Sequence, residues 1–399
     1  MPGLDKVTPE DKGNATRWTN SSGIQALYAK TDSATFKKLD PETLEPVGLA
    51  SQKDLHPDLD GPLSASHARS DPITGDIYNF NLAFGQPSIY RVFHVSASTG
   101  KTTVLATFEG TPAYLHSLFL SEDYVILCVW NSHINPNEFS RGSFLQAIQP
   151  FDASKPTKWY VVDRTNGRGL VTTYESDPFF CFHTVNAWQE PSASNTERVD
   201  IIAELVRLDN TDALHALYYE RLISSSSEAK ALAQAKSDSC RSEFARFRLP
   251  AIPIVPSTKT KTLVAEWTFC KAFAPELPTM NPKFTTKKHR YTYAVTARGE
   301  STFIDGIIKF DSETKETQLW THHAQSPGEP IFVPQPEGLA EDDGILLSVV
   351  LDGYTGKSYL LCLDAHNLKE LGRAQVNGPV GFGFHGQHIP SHGVPTGDY

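Results

Sequence analysis

Hydrophobic positions along this chain fall in short runs, many alternating with polar residues, and polar turns cut most runs before they reach helical length. That alternation is the two-residue period of a strand with one buried face. One unit recurs: a strand, a polar turn usually opened by Asp, then a second strand. It appears at Phe36-Lys-Lys-Leu-Asp40, Val92-Phe-His-Val-Ser96, Trp159-Tyr-Val-Val-Asp163, Ile202 to Asp209, Ile307-Ile-Lys-Phe-Asp311 and Leu360-Leu-Cys-Leu-Asp364. Asp and Ser suit such turns because their side chains bond the backbone two residues on. Six hairpins at blade-sized intervals predict an all-β fold, a β-propeller; a sandwich or several small barrels would share the short-strand spacing.

Three stretches break the rhythm. Residues 1–24 are polar, rich in Asn, Thr and Ser, and are predicted to be a disordered or remnant N-terminal segment, leaving 25–399 as one propeller domain. Ser227 to Cys240 is built of good helix formers and predicts a surface helix inserted between blades. The loop from Asn135 to Pro156 carries Phe139, Phe144, Leu145, Ile148 and Phe151. It fits either residues packed on the propeller rim or an amphipathic, weakly membrane-facing lid.

Composition narrows the function. The 399 residues are 39% hydrophobic, enough for a large core, so disorder is not the default. A net charge of −10 argues against nucleic acid as the partner, since phosphate binding needs a basic face and none is visible. Five scattered cysteines without a CxxC pair read as buried thiols in a reducing compartment, not as a disulfide frame or thiolate zinc site. No signal peptide or bilayer-long run is visible, so the expected location is cytoplasmic, with peripheral membrane contact still allowed.

In the segment Pro112 to Trp130, His116 stands at the mouth of an apolar run. A buried imidazole needs a hydrogen-bond partner or a metal, because leaving it unpaired costs about 1–3 kcal/mol. A core histidine bonded to a backbone carbonyl satisfies that need as well as a metal does. His67, His183 and His385 sit in comparable settings, and in a propeller the innermost strand of each blade can point one residue at the axis. Asp32, Glu276 and Glu329 are isolated acids that could accept the outer N–H groups of such imidazoles, or simply be solvated loop carboxylates. Spacing alone does not pick four histidines out of fourteen. His388 and His392 lie among Gly and Pro and cannot share a helical face as in a zincin, and His322 and His323 would point opposite ways on a strand.

Several segments together resemble the carotenoid cleavage oxygenases, in a fungal-like form. They are Ala65-Ser-His67-Ala-Arg-Ser-Asp71, Leu115-His116-Ser117, Phe182-His183-Thr-Val-Asn186, Glu276-Leu-Pro-Thr-Met-Asn281, Glu329-Pro-Ile-Phe-Val333, Glu341 to Ser348 and Gly383-Phe-His385-Gly386. The resemblance implies a seven-bladed propeller with Fe(II) on its axis, its first blade incomplete, and loop or helical insertions on one face. It implies His67, His116, His183 and His385 as iron ligands. Asp32 would support His116, Glu276 would support His183 and Glu329 would support His385, leaving His67 without an acid. Asp32 stands where Glu is more frequent, so its contact is expected to be long or water-bridged. The family's N-terminal Gly-Asp-Gly-Met-x-His type of segment is missing, which reads as a truncated chain.

The implied activity is that of a dioxygenase cleaving one C=C bond of a carotenoid or apocarotenoid with O2 to give two carbonyl products. No external reductant is required, because the alkene supplies the electrons. Four imidazoles alone would also admit copper or zinc, so iron comes from the resemblance. Aromatic residues would stabilise charge developing along a polyene, with Phe182 the one candidate, though core packing also accounts for it. The alternative substrate is a stilbene such as resveratrol. Stilbene-cleaving relatives carry a Lys just before the supporting acid, where this chain has Thr31 with Lys30 one residue further back. The alternative from another class is an inactive, truncated propeller remnant.

Overall fold

The computed structural model describes residues 27–141, 144–218, 227, 240–269, 271–301 and 303–388. The first 26 residues and nearly all of the expected 227–240 helix lie outside the described residues.

Described strands form six sheets, met in chain order as blades. Blade 1 is Leu27–Ala29, Thr35–Leu39 and Pro46–Ser51, and blade 2 is Arg69–Ser70, Ile77–Ala83, Ile89–Val95 and Thr102–Glu109. Blade 3 comprises Phe119–Leu120, Tyr124–Val129, Thr157–Asp163 and Leu170–Ser176. Blade 4 comprises Thr184–Ser192, Asn195–Leu208, Ser242–Leu249 and Ala265–Phe269, and blade 5 comprises Pro275–Thr279, Tyr291–Thr296, Gly306–Asp311 and Thr317–Trp320. In blade 6, Gln325–Pro327 and Ile331–Pro334 both pair with Gly344–Asp352, followed by Lys357–Asp364 and Glu370–Gln375. The architecture is the expected propeller, with six blades among the described residues where seven were expected.

Each of the six sequence units lies in a different blade, and five form a tight hairpin between its two outer strands. Their turns share one chemistry. The opening side chain accepts peptide N–H groups, as Asp40 Oδ1 does from Glu42 and Thr43, and Asp311 Oδ1 from Glu313 and Thr314. Four residues on, the backbone turns left-handed at Leu44 (φ 60°), Gly100 (68°), Gly167 (67°), Lys315 (65°) and Leu368 (56°). At Leu44 the side chain is 61% exposed, so little packing opposes the strain of a positive φ. Leu44→Gly is expected to stabilise the fold by about 0.5–1 kcal/mol, read as a higher urea midpoint. The unit at Ile202–Asp209 differs. Asn210 Oδ1 accepts the Asp212 N–H at 2.8 Å and a helix, Asp212–Ala216, starts there instead of a hairpin; the chain rejoins the blade only at Ser242.

Blades pack face on face, so a middle strand is buried on both sides: all six residues of Tyr124–Val129 are buried. The segment after Leu249 leaves blade 4, adds Lys261–Thr262 as a parallel strand on Leu170–Ser176 of blade 3, and returns at Ala265. The 135–156 loop holds two short helices whose rings turn inward, Phe139 on Phe84 (5.1 Å between centroids) and Phe144 on Tyr114 (5.0 Å). No helix among the described residues is long and apolar enough to cross a membrane.

Candidate metal centre

The innermost strands converge, and a histidine or its acid stands at or near the start of each from blade 2 onward. His67 precedes Arg69–Ser70, His116 precedes Phe119–Leu120, His183 adjoins Thr184–Ser192, Glu276 lies on Pro275–Thr279 and Glu329 precedes Ile331–Pro334. Hydrogen bonds of the backbone and of the Ser117 hydroxyl lace these strand starts together. The His67 N–H donates to His116 O (3.1 Å), Ser117 Oγ donates to Phe182 O (2.8 Å), and the Thr184 N–H donates to Ser117 Oγ (3.0 Å). Arg69 ties the same three blades, donating to Leu118 O (3.1 Å) and to Thr184 O and Oγ1 (2.7 and 2.6 Å).

His385 arrives from the far end of the chain. Glu329 N–H donates to Gly383 O at 2.8 Å, and the backbones approach so closely that a Cβ on Gly328 would lie 2.7 Å from that oxygen. Glycine is required there, and the contact sets His385 opposite Glu329. On blade 5, a bulge between Glu276 and Thr279 and left-handed backbone at Leu277 (φ 49°) aim the Glu276 carboxylate inward.

The four imidazoles meet: His67, His116, His183 and His385 offer nitrogens that all lie within 4.8 Å of one another. Three of them use the outer nitrogen on an acid. His116 Nδ1 lies 2.7 Å from Asp32 Oδ1, His183 Nδ1 2.5 Å from Glu276 Oε2, and His385 Nδ1 3.1 Å from Glu329 Oε1. His67 has no carboxylate partner among the described residues; its Nε2 faces His116 Nε2 at 3.1 Å. The expectation of a long or bridged Asp32 contact is therefore corrected. The short side chain reaches because its loop sits close in, with Ser64 N–H on Asp32 O (2.9 Å) and Ser66 Oγ on Asp32 Oδ1 (3.0 Å).

This arrangement fits a cation. An N–H donated outward to each carboxylate leaves the Nε2 lone pairs of His116, His183 and His385 turned inward. A neutral His67 could offer one proton to His116 Nε2 across 3.1 Å, but His183 Nε2 is buried with no hydrogen-bond partner. Charging the rings is no remedy either. Burial first, then the neighbouring histidines, push His67 well below its ordinary pKa; burial takes His183 down to about 4 despite Glu276. Neutral imidazoles are the state a metal needs.

Phe182 edges His116 and His183 (centroids 6.0 and 6.1 Å) and packs on Phe180 (4.7 Å), so it serves the core and faces the centre at once. A cleft lined by Arg69, Ser117, Thr184, Pro278, Thr279 and Met280 also reaches the histidines. Sequence reasoning missed Arg69, Ser117 and Thr184, whose role appears only when three blades meet. It also missed Tyr114, two residues before His116 and so on the same side of an extended chain. His388 is exposed, His322 and His323 lie in a loop and not on a strand, and His392 is outside the described residues.

Residues 5–390 match the family described as retinal pigment epithelial membrane protein. A carotenoid dioxygenase of Neurospora crassa is 41% identical over 92% of this chain, which spans 62% of that protein. A torulene dioxygenase of Gibberella fujikuroi is 39% identical over 98% of this chain and 70% of its own. Among solved structures, the cobalt-substituted Synechocystis apocarotenoid oxygenase superposes with a TM-score of 0.68 at 22% identity, over 93% of this chain and 72% of that one. The chain thus spans about two thirds of the length of the curated fungal relatives it matches.

Proposed function

The chain belongs to the carotenoid cleavage oxygenase family, and from that premise we propose that it is a non-haem Fe(II) dioxygenase cleaving one C=C bond of a carotenoid or apocarotenoid. The observation that carries the reading is the convergence of four imidazoles on one point, three braced by carboxylates. His67, His116, His183 and His385 would hold the ion. Fe(II) bound there would supply the site at which O2 is activated for addition across the double bond.

The chain's own residues do the rest. Asp32, Glu276 and Glu329 keep each outer N–H pointing away from the ion, fix the ring planes and offset part of the excess positive charge. Phe182 lies beside the imidazoles of His116 and His183, where it would meet a conjugated apolar substrate and stabilise charge developing along a polyene. The two fungal relatives bear the names of a carotenoid and a torulene dioxygenase, which favours a polyene over a stilbene.

Aerobic incubation of Fe(II)-reconstituted protein with a panel of carotenoids, apocarotenals and resveratrol, followed by product identification, tests this. Aldehyde or ketone fragments from a polyene, each bearing one atom from ¹⁸O2, are expected. Cleavage of resveratrol alone would reverse the substrate assignment, and no cleavage of any member would leave the remnant reading.

A further inference from the structure

The three supporting carboxylates are anchored differently. Glu276 and Glu329 each accept a peptide N–H besides their imidazole, from Leu277 at 2.7 Å and from Gly386 at 2.9 Å. Asp32 takes two hydroxyls instead, Ser66 Oγ on Oδ1 (3.0 Å) and Tyr114 OH on Oδ2 (3.1 Å). The same tyrosine oxygen lies 3.2 Å from His116 Nδ1, so phenol, carboxylate and imidazole form a closed triangle. We propose that Tyr114 is a positioning residue whose hydroxyl, together with Ser66, holds the short Asp32 side chain against His116 and thereby fixes the tautomer that presents Nε2 to the metal. This rests on the metal reading above.

A phenol has one proton to give. Donated to His116 Nδ1, it would force the ring's own proton onto Nε2, where it would block a ligand position. The carboxylate is the stronger acceptor, so the phenol donates to Asp32 Oδ2 and Nδ1–H donates to Oδ1. The hydroxyl cannot drift, because the core fixes the residue that carries it. Tyr114 N–H donates to Ser132 O (2.9 Å), Tyr114 O accepts from Trp130 Nε1 (3.0 Å) and Ser132 Oγ (2.6 Å), and the ring rests on Phe144. Asp32, by contrast, is on a loop between two short strands, with a side chain about a quarter exposed. Water competes for such a carboxylate, and a rigid donor on its second oxygen counters that competition.

The test is Co(II) binding to the whole chain, followed by the visible spectrum of the bound ion. Tyr114→Phe is expected to weaken Co(II) binding about tenfold and to alter the spectrum. Tyr174→Phe is the control, since it removes another buried phenol bond (to Pro250 O, 2.8 Å) in blade 3, and it should change neither. Adding Asp32→Glu to Tyr114→Phe should recover most of the affinity, because the extra methylene extends the carboxylate's reach. If Tyr114→Phe does not fold, Ser66→Ala reads the same anchoring and should weaken binding in the same direction. Unchanged affinity and spectrum, an equal loss in Tyr174→Phe, or no recovery by Asp32→Glu would overturn the proposal. Absence of Co(II) uptake by the unmutated chain would instead overturn the metal reading, and this proposal with it.

Discussion

Replacing His183 with alanine is expected to abolish iron binding and, with it, all polyene cleavage. Of the four imidazoles this one has the least alternative employment: its Nε2 is buried without a partner, and its Nδ1 is committed to Glu276 at 2.5 Å. Losing a carboxylate that orients a ligand typically costs 10–100-fold in metal affinity, and losing the ligand itself costs more. The substitution also strips Glu276 of its imidazole, leaving the carboxylate with the Leu277 N–H, while its Oε1 already has no partner. The metal-free variant should therefore be less stable by about 1–3 kcal/mol. Melting curves with and without Fe(II) separate the two effects. With metal at about a hundred times its Kd, the unmutated chain should gain roughly 2.7 kcal/mol and the variant nothing. His388→Ala, an exposed residue outside the cluster, should keep the full shift. An iron-dependent shift surviving in His183→Ala would remove the four-histidine centre from consideration.

What the sequence disclosed here was mostly local. Asp40, Asp311 and Asp364 announce hairpins because an aspartate bonds its own turn whatever surrounds it. The same reasoning failed at Asp209, where the next residue, Asn210, accepts the Asp212 N–H and a helix starts instead of a hairpin. The return strand at Lys261–Thr262 gave no signal, since a two-residue parallel pairing has no period. For the centre, composition offered fourteen histidines and no way to choose. Motif resemblance chose four, and the folded chain brings those four together. Tyr114 carried a usable clue, its two-residue offset from His116, but only the assembled blades put its hydroxyl on the Asp32 that the resemblance had set beside that imidazole. Arg69 is the extreme case: its acceptors, Leu118 and Thr184, belong to two other blades. Contacts made across the ring are written in the sequence only as residues that suit many partners.

Breaking a buried ion pair between blades 2 and 3 is expected to weaken the ring itself. Asp71 opens the turn after Arg69–Ser70, accepting the Ile73 and Thr74 N–H groups on Oδ1 (both 2.8 Å), and its Oδ2 meets Arg164 Nη1 of the neighbouring blade's turn at 2.7 Å. The two side chains are only 9% and 7% exposed. Arg164 also donates to Glu122 O (2.9 Å) and lies over the Tyr78 ring (4.9 Å). Such a pair contributes little beyond an apolar replacement, but removing one member strands a charge in low dielectric, at a cost of about 3–5 kcal/mol. Arg164→Met is expected to lose that much in urea denaturation, a large share of a typical domain's stability. Acid should reach the same contact. Burial pushes the Asp71 carboxyl up, but the Thr74 N–H, Arg164 and the Ile73 N–H outweigh it and hold the group below its ordinary range. A carboxyl depressed on folding contributes its full stability above its unfolded pKa, about 3.9, and loses it as pH falls through the folded value. The urea midpoint of the unmutated chain should therefore drop below about pH 4, and Asp71→Asn should lack that part of the drop while starting from a lower midpoint. Neither side chain bonds an imidazole of the cluster, so both variants, where folded, should retain the iron-dependent rise in melting temperature that His183→Ala loses.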